Sequence, residues 1–287
     1  MHYFKNHSDI SLQPHPTYEG HSTGYLQTPL IDHSTGSVHT GLSLCQLNAG
    51  GALAPHVHSF EEGFYILDGE SEVNVNQHAY LLKPGDFGVF KVGTQHAFRN
   101  TSASAVRWLQ MAAPQPKPPG KERDTFFVKN GKFNEGARPL DLANLNGNLF
   151  GHFDVSQVPP SADRTIAAGA PGAGVFLKWL IDEKFGARHQ RILFIEYEPG
   201  ANIQPHDHTF EESYFLLSGE VEGILDGERY LATPGDVLWT SVGCVHSFKN
   251  IGTGPVRWLE TFAPQPPAED VFRFMHEWTK RAAEIEG

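Results

Sequence analysis

Short apolar runs broken by tight turns dominate the chain. Gly63–Leu67 ends in Asp68-Gly69, and Ser213–Leu217 ends in Ser218-Gly219. A small polar residue followed by Gly after such a run signals a hairpin. Val221–Leu225 runs into Asp226-Gly227 and resumes at Tyr230-Leu231, while Pro84-Gly85-Asp86 and Pro234-Gly235-Asp236 each precede a further apolar run. Turn signals at roughly eight- to twelve-residue spacing predict an all-β sandwich or barrel. The end of the chain has another period. Val271, Phe272, Phe274, Met275, Trp278 and Ala282 fall at helical spacing, which predicts a C-terminal amphipathic helix over Ala268–Glu286.

The pattern occurs twice. Residue n set against n+150 aligns Leu30–Pro116 with Leu180–Pro266 without a gap, and 34 of the 87 aligned positions are identical. A period this long is one domain per repeat rather than a solenoid. The predicted division is an N-terminal barrel over 1–118, a connector of edge strands and loops over 119–175, and a C-terminal barrel with its helix over 176–287. Pro114–Gly120, which leads from the first barrel into the connector, reads as a surface link, and Thr125–Val128 and Leu149-Phe150 are short apolar pieces of the connector.

Composition narrows the partners. The net charge of -11 argues against nucleic acid, whose phosphates need a basic face. Apolar stretches are too punctuated for a membrane span. The first residues, Met1-His2-Tyr3-Phe4-Lys5, lack the apolar core of a secretory signal. Cys45 and Cys244 are not equivalent in the repeat, so two free thiols in a reducing cytoplasm are expected. Of 16 histidines, six belong to the two recurring sets described next; His7, His15, His21 and His33 read as surface residues.

Those six carry the chemistry. His56, His58, Glu62 and His96 recur as His206, His208, Glu212 and His246, all offset by 150. Residues i and i+2 of a strand face one side, so each His-x-His pair points one way, and the Glu shares that parity. Three imidazoles and one carboxylate suit a borderline divalent metal, up to two ions per chain. Glu61 and Glu211 have the opposite parity and read as solvated or salt-bridged.

Gly50, His56, His58, Glu62 and Gly69, followed by Gly85, Gly93, His96 and Asn100, resemble the two motifs of the cupin superfamily. The second repeat has the same spacing at Gly200, His206, His208, Glu212, Gly219, Gly235, Gly243, His246 and Asn250. Lys91 and Ser241 stand where the family has a turn-shaping proline that is not a ligand. The resemblance covers about 30–116 and 180–266. It implies a bicupin: two tandem jelly-roll barrels, with metal ligands at His56, His58, Glu62 and His96 and at His206, His208, Glu212 and His246. It favours Mn(II) or Fe(II), with Ni, Cu or Zn also compatible.

Inward parity from the ligands gives an apolar pocket of Phe60, Phe64 and Phe98 in the first barrel, and of Phe210, Leu216 and Phe248 in the second. The same positions read equally well as barrel core. The repeats differ at Phe64/Tyr214, Gln95/Val245, Thr94/Cys244 and Gln110/Glu260. Tyr214 and Glu260 are candidate acid/base groups, and Arg107 and Arg257 read as structural. Three functions stay open. The first is a dioxygenase acting on a small chelating enol, ketone or aromatic, as in ring-cleaving and flavonol-type bicupins. The second is a non-redox Mn- or Zn-dependent hydrolase, decarboxylase, lyase or isomerase. Val57 and Asp207 stand between the paired histidines, where oxalate-type decarboxylases usually have Trp. The third is a non-catalytic ligand-binding bicupin. Monomer and homodimer are both compatible with two barrels in one chain.

Overall fold

The computed structural model describes residues 1–118, 120–129, 131–158, 174–265 and, by backbone, 272–274. The chain forms two compact units. One holds Ile10–Gln157 and Leu180–Arg191; the other holds Met1–Asp9 and the described parts of Val158–Trp179 and Ile192–Gly287.

In the first unit one curled sheet carries the site. The strand Gly41–His58 pairs through its first half with Val106–Ala113, and through its second half with His96–Arg99. Between the halves the chain turns at Gly50, whose φ is 71°. A Cβ on Gly51 would meet Leu47 Cδ1 and the carbonyl oxygens of Asn48 and Thr23 at 2.8 Å, so backbone passes where a side chain cannot. Ser22–Ile31 lines the same long strand, and Glu61–Asp68 lies between Asp86–Phe90 and Val106–Ala113.

The connector supplies further strands to this unit. Thr125–Phe127 pairs with His56–His58, and Leu149–His152 pairs with Asp86–Phe90. Phe150 thereby joins a buried core that includes Phe64, Phe90, Phe98, Trp108, Leu47 and Val106.

In the second unit the corresponding long strand is two, Arg191–Tyr197 and Asn202–His208, separated at Pro199-Gly200. They lie in different sheets. The six-stranded sheet contains Arg191–Tyr197, Val256–Ala263, Glu211–Ser218, Val237–Thr240 and, at its edge, His2–Lys5. The five-stranded sheet contains His246–Asn250, Val221–Leu225 and Asn202–His208. The core gathers Tyr197, Tyr214, Leu216, Phe248, Trp258 and Phe262. Among the described residues no helix is long and apolar enough to cross a membrane.

Helical spacing misreads part of the C-terminus. Phe272–Phe274 is a strand antiparallel to His206–His208. Phe-Arg-Phe alternates, and an alternating triplet satisfies an open strand edge as readily as it begins a helix. The same edge of the first unit is covered by Thr125–Phe127 in the equivalent register. The remainder of the predicted helix, at 268–271 and 275–286, lies outside the described residues.

Candidate metal centres

Cross-strand register assembles each ligand set. His56 is the direct partner of His96, and His206 of His246, each just after a bulge in the ladder. Directly opposed residues bring their side chains together. Glu62 lies between Phe90 and Ala112 on its flanking strands, and Glu212 between Thr240 and Phe262. The potential donor atoms of His56, His58 and His96 lie within 4.8 Å of one another, as do those of His206, His208 and His246. Glu62 Oε2 is 2.9 Å from His58 Nε2 and 3.6 Å from His96 Nε2. Glu212 Oε2 is 2.8 Å from His208 Nε2 and 3.4 Å from His246 Nε2. All eight expected ligands are buried, in two sets of four.

The protons on the rings are assigned by their outer partners. Nδ1 of His56 donates to the Ala54 carbonyl at 2.7 Å, and Nδ1 of His96 to the Thr94 carbonyl at 2.9 Å. Nδ1 of His206 donates to the Gln204 carbonyl at 2.8 Å, and Nδ1 of His246 to the Cys244 carbonyl at 2.9 Å. A carbonyl only accepts, so the proton sits on Nδ1 and the lone pair on Nε2. His58 Nδ1 lies 2.9 Å from Thr125 Oγ1. In the first set the Nε2 atoms of His58 and His96 are buried and make no well-aligned hydrogen bond. Buried lone pairs converging on one carboxylate, with every outer ring nitrogen of these four fixed by a carbonyl, fit a divalent metal.

Charge regulation agrees. Burial, and then the neighbouring imidazoles His96 and His58, hold His56 well below the usual histidine range. Burial also lowers His58 and His208. Burial with His246 and His208 brings His206 down to about 3. Burial opposes the charge on Glu62, but the imidazoles of His96 and His58 outweigh it and hold the carboxyl far below its ordinary range. Glu212 is depressed in the same way by His208 and His246. His56, His58, His206 and His208 are thus held toward the neutral form and the two carboxylates toward the ionised form, the states that metal binding requires.

The two carboxylates are held differently. Gln110 Nε2 donates to Glu62 Oε2 at 2.8 Å, and Gln110 Oε1 accepts from Gln27 Nε2 and Cys45 Sγ. In the second centre the Tyr214 hydroxyl donates to Glu212 Oε2 at 2.5 Å. Burial and the Glu212 charge push the Glu260 carboxyl far above its ordinary range. Trp258 Nε1 donates to Glu260 Oε2 at 3.0 Å. A carboxyl group thus stands where the first centre has an amide. Where Phe64 stacks on Phe90 at 5.2 Å, Tyr214 faces Thr240, with their oxygens 3.5 Å apart.

Of the expected pocket residues, Phe60 stacks on His58 at 4.3 Å and Phe210 on His208 at 4.2 Å. Phe64 and Phe98 belong to the first core, and Leu216 and Phe248 to the second. Arg107 pairs with Asp68 and Arg257 with Glu196. Glu61 is buried rather than solvated: its carboxylate accepts the backbone N–H groups of Arg188 and His189. Sequence reasoning missed Tyr18, edge-on to His56 at 5.9 Å, and Phe90, stacked on His96 at 4.1 Å. It also missed Thr125. Tyr18 and Thr125 lie outside the repeat, so the 150-residue offset carries no signal for them. Phe90 is inside it but is replaced by Thr240.

Comparison with known proteins follows the same division. Residues 43–111 and 193–262 each match a family model described as a cupin domain. Quercetin 2,3-dioxygenase of Bacillus subtilis (strain 168) is 25% identical over 229 residues, 70% of this chain and 66% of that protein. The polyketide synthase protein CurC of Streptomyces cyaneus is 26% identical over 97 residues, 33% of this chain and 63% of that protein. The chain therefore matches just under two thirds of the length of each of these relatives. Among solved structures, a mutant of Bacillus subtilis oxalate decarboxylase superposes with a TM-score of 0.66 at 17% identity, covering 99% of this chain and 84% of that one. The Lactobacillus farciminis oxalate decarboxylase formate complex gives 0.66 at 17% identity, over 97% and 90%. A further Bacillus subtilis structure, with a TM-score of 0.64 at 17% identity over 99% and 84%, concerns the Mn(II) centres of that decarboxylase.

Proposed function

The chain belongs to the cupin superfamily, with two cupin domains in one polypeptide, and from this we propose that it is a metal-dependent dioxygenase of a small chelating organic substrate, an enol, ketone or aromatic. One observation carries the reading: two buried sets of three imidazoles and a carboxylate, with Nε2 lone pairs directed inward by carbonyls on Nδ1. The likeness to a quercetin dioxygenase over 70% of the chain supports the reaction class.

His56, His58, Glu62 and His96 would hold one ion, and His206, His208, Glu212 and His246 the other. Mn(II) or Fe(II) fits a nitrogen-rich set with one carboxylate. When bound, such an ion supplies an electrophilic centre at which substrate and dioxygen can be held together. The protein's own groups prepare that centre. Carbonyls fix the tautomers of His56, His96, His206 and His246, while Gln110 orients Glu62 and Tyr214 orients Glu212. Phe60 and Phe210 stack on ligand rings and keep the sets dry. Tyr214 and Glu260 act as positioning residues here, because both face a ligand carboxylate. Both thiols are unbridged, which suits a reducing cytoplasm.

The test is oxygen uptake by iron- or manganese-loaded protein over a panel of flavonols, other chelating enols and oxalate. Uptake matching the loss of one chelating substrate, and abolished in the H58A/H208A double variant, is the expected result. Turnover of a carbonyl substrate under strict anaerobiosis would replace this reading with non-redox chemistry.

A further inference from the structure

A separate set of donors lies in the second unit. The strand His2–Lys5 runs along Val237–Thr240 with His2 opposite Thr240. This register delivers His2 to the loop that follows Thr240, which carries Cys244, and to the turn at Asp226, whose φ is 47°. Asp226 Oδ1 accepts the Val245 N–H at 3.0 Å and ties the turn to that loop. A ring nitrogen of His2, a carboxylate oxygen of Asp226 and Cys244 Sγ all lie within 4.8 Å of one another. Cys244 is 1% exposed.

The His2 tautomer decides what this cluster needs. The Tyr230 hydroxyl donates to Glu228 Oε2 at 2.8 Å, so it can only accept from His2 Nε2, 2.9 Å away. Nε2 then carries a proton, which leaves Nδ1 as the ring nitrogen that faces Asp226. Nδ1 is buried, makes no hydrogen bond, and lies 3.5 Å from Asp226 Oδ2. Nδ1 and the carboxylate oxygen thus face each other without a hydrogen bond, an arrangement that a cation held between them stabilises. Positive charge is already drawn there, since the Met1 amino group lies 2.8 Å from the same oxygen.

We propose that His2 Nδ1, Asp226 and the Cys244 thiolate form a third metal site, for one ion of the zinc class. Nitrogen, sulfur and a carboxylate oxygen from three chain segments are a zinc donor set, and thiolate selects zinc over manganese or calcium. Bonds of about 2.0–2.3 Å hold donor pairs roughly 3.3–3.8 Å apart, so a small closure of these side chains suffices. Binding releases the Cys244 proton to solvent. The ion staples the N-terminal strand to a turn and a loop of the barrel.

Neither His3Glu set contains sulfur, which makes the test selective. Native, untagged protein is titrated with Co(II) past two equivalents. A near-ultraviolet thiolate-to-cobalt charge-transfer band saturating at one equivalent per chain is expected. C244S should abolish the band and leave the visible cobalt bands of the imidazole sites, C45S should keep it, and H2A should weaken the binding that produces it. Zinc X-ray absorption on the unmodified protein with three equivalents needs no variant. A sulfur scatterer at about 2.3 Å is expected there. Filled imidazole sites with no charge-transfer band and no sulfur scatterer would overturn the proposal, as would a band that survives C244S.

Discussion

At the scale of the residue, the outer partner of each imidazole matters as much as the imidazole. Thr125 shows it best. Its hydroxyl is 2.9 Å from His58 Nδ1, and Thr125 is itself buried. Removing such a partner from a metal-ligating His costs about 10–100-fold in metal affinity. Thr125→Val should therefore weaken binding at the first centre by about that factor, while Thr125→Ser, which keeps the oxygen, should not. Calorimetric titration with the second centre disabled by H208A reads the effect directly. Equal affinity in T125V and wild type would show that the hydroxyl does not hold the ring. The second centre has Phe272 in the same register, opposite His208.

At the scale of the element, short strands from outside the repeat complete both barrels. Leu149–His152 covers Asp86–Phe90, and His2–Lys5 covers Val237–Thr240. Phe150 sets its ring against Tyr80, Phe64 and Phe90, with centroids 5.3, 5.9 and 6.2 Å away, and Phe90 in turn stacks on His96. Phe150→Ala should cost about 3–5 kcal/mol, the range for a large aromatic lost from a packed core. Urea unfolding followed by tryptophan fluorescence measures it; a loss below about 1 kcal/mol would mean that this strand is not part of the core. These additions also mark the limit of the sequence. The repeat, its strands, the turns at Gly69 and Gly219 and the gathering of the eight His and Glu residues into two sets were legible, because strand period and offset act on every one of them. The partners of the added strands were not legible, since pairing between distant segments leaves no local period. At Phe272–Phe274 three residues satisfied two periods, and only the open edge of His206–His208 distinguishes them.

At the scale of the whole molecule, two buried sets of histidines make the metal-free protein sensitive to acid. His56, His58, His206 and His208 are all held below their ordinary value by burial, so the unfolded chain binds their protons first. Stability that these rings confer is complete above about pH 6.5 and is lost as pH falls from there toward their folded values. Glu62 and Glu212, depressed in the fold, add a further loss below about pH 4.5. The melting temperature of the metal-free protein should fall steadily from pH 7 to pH 5, whereas a flat profile would contradict buried neutral rings. A bound ion stabilises the folded chain in proportion to the logarithm of its concentration over its Kd. Manganese stoichiometry tests the paired centres most directly, because Mn(II) disfavours thiolate and does not report on Cys244. Electron paramagnetic resonance titration should give two equivalents for the wild type and one each for His58→Ala and His208→Ala. No high-affinity manganese in the wild type, or two equivalents retained in either variant, would contradict two His3Glu metal centres in this chain.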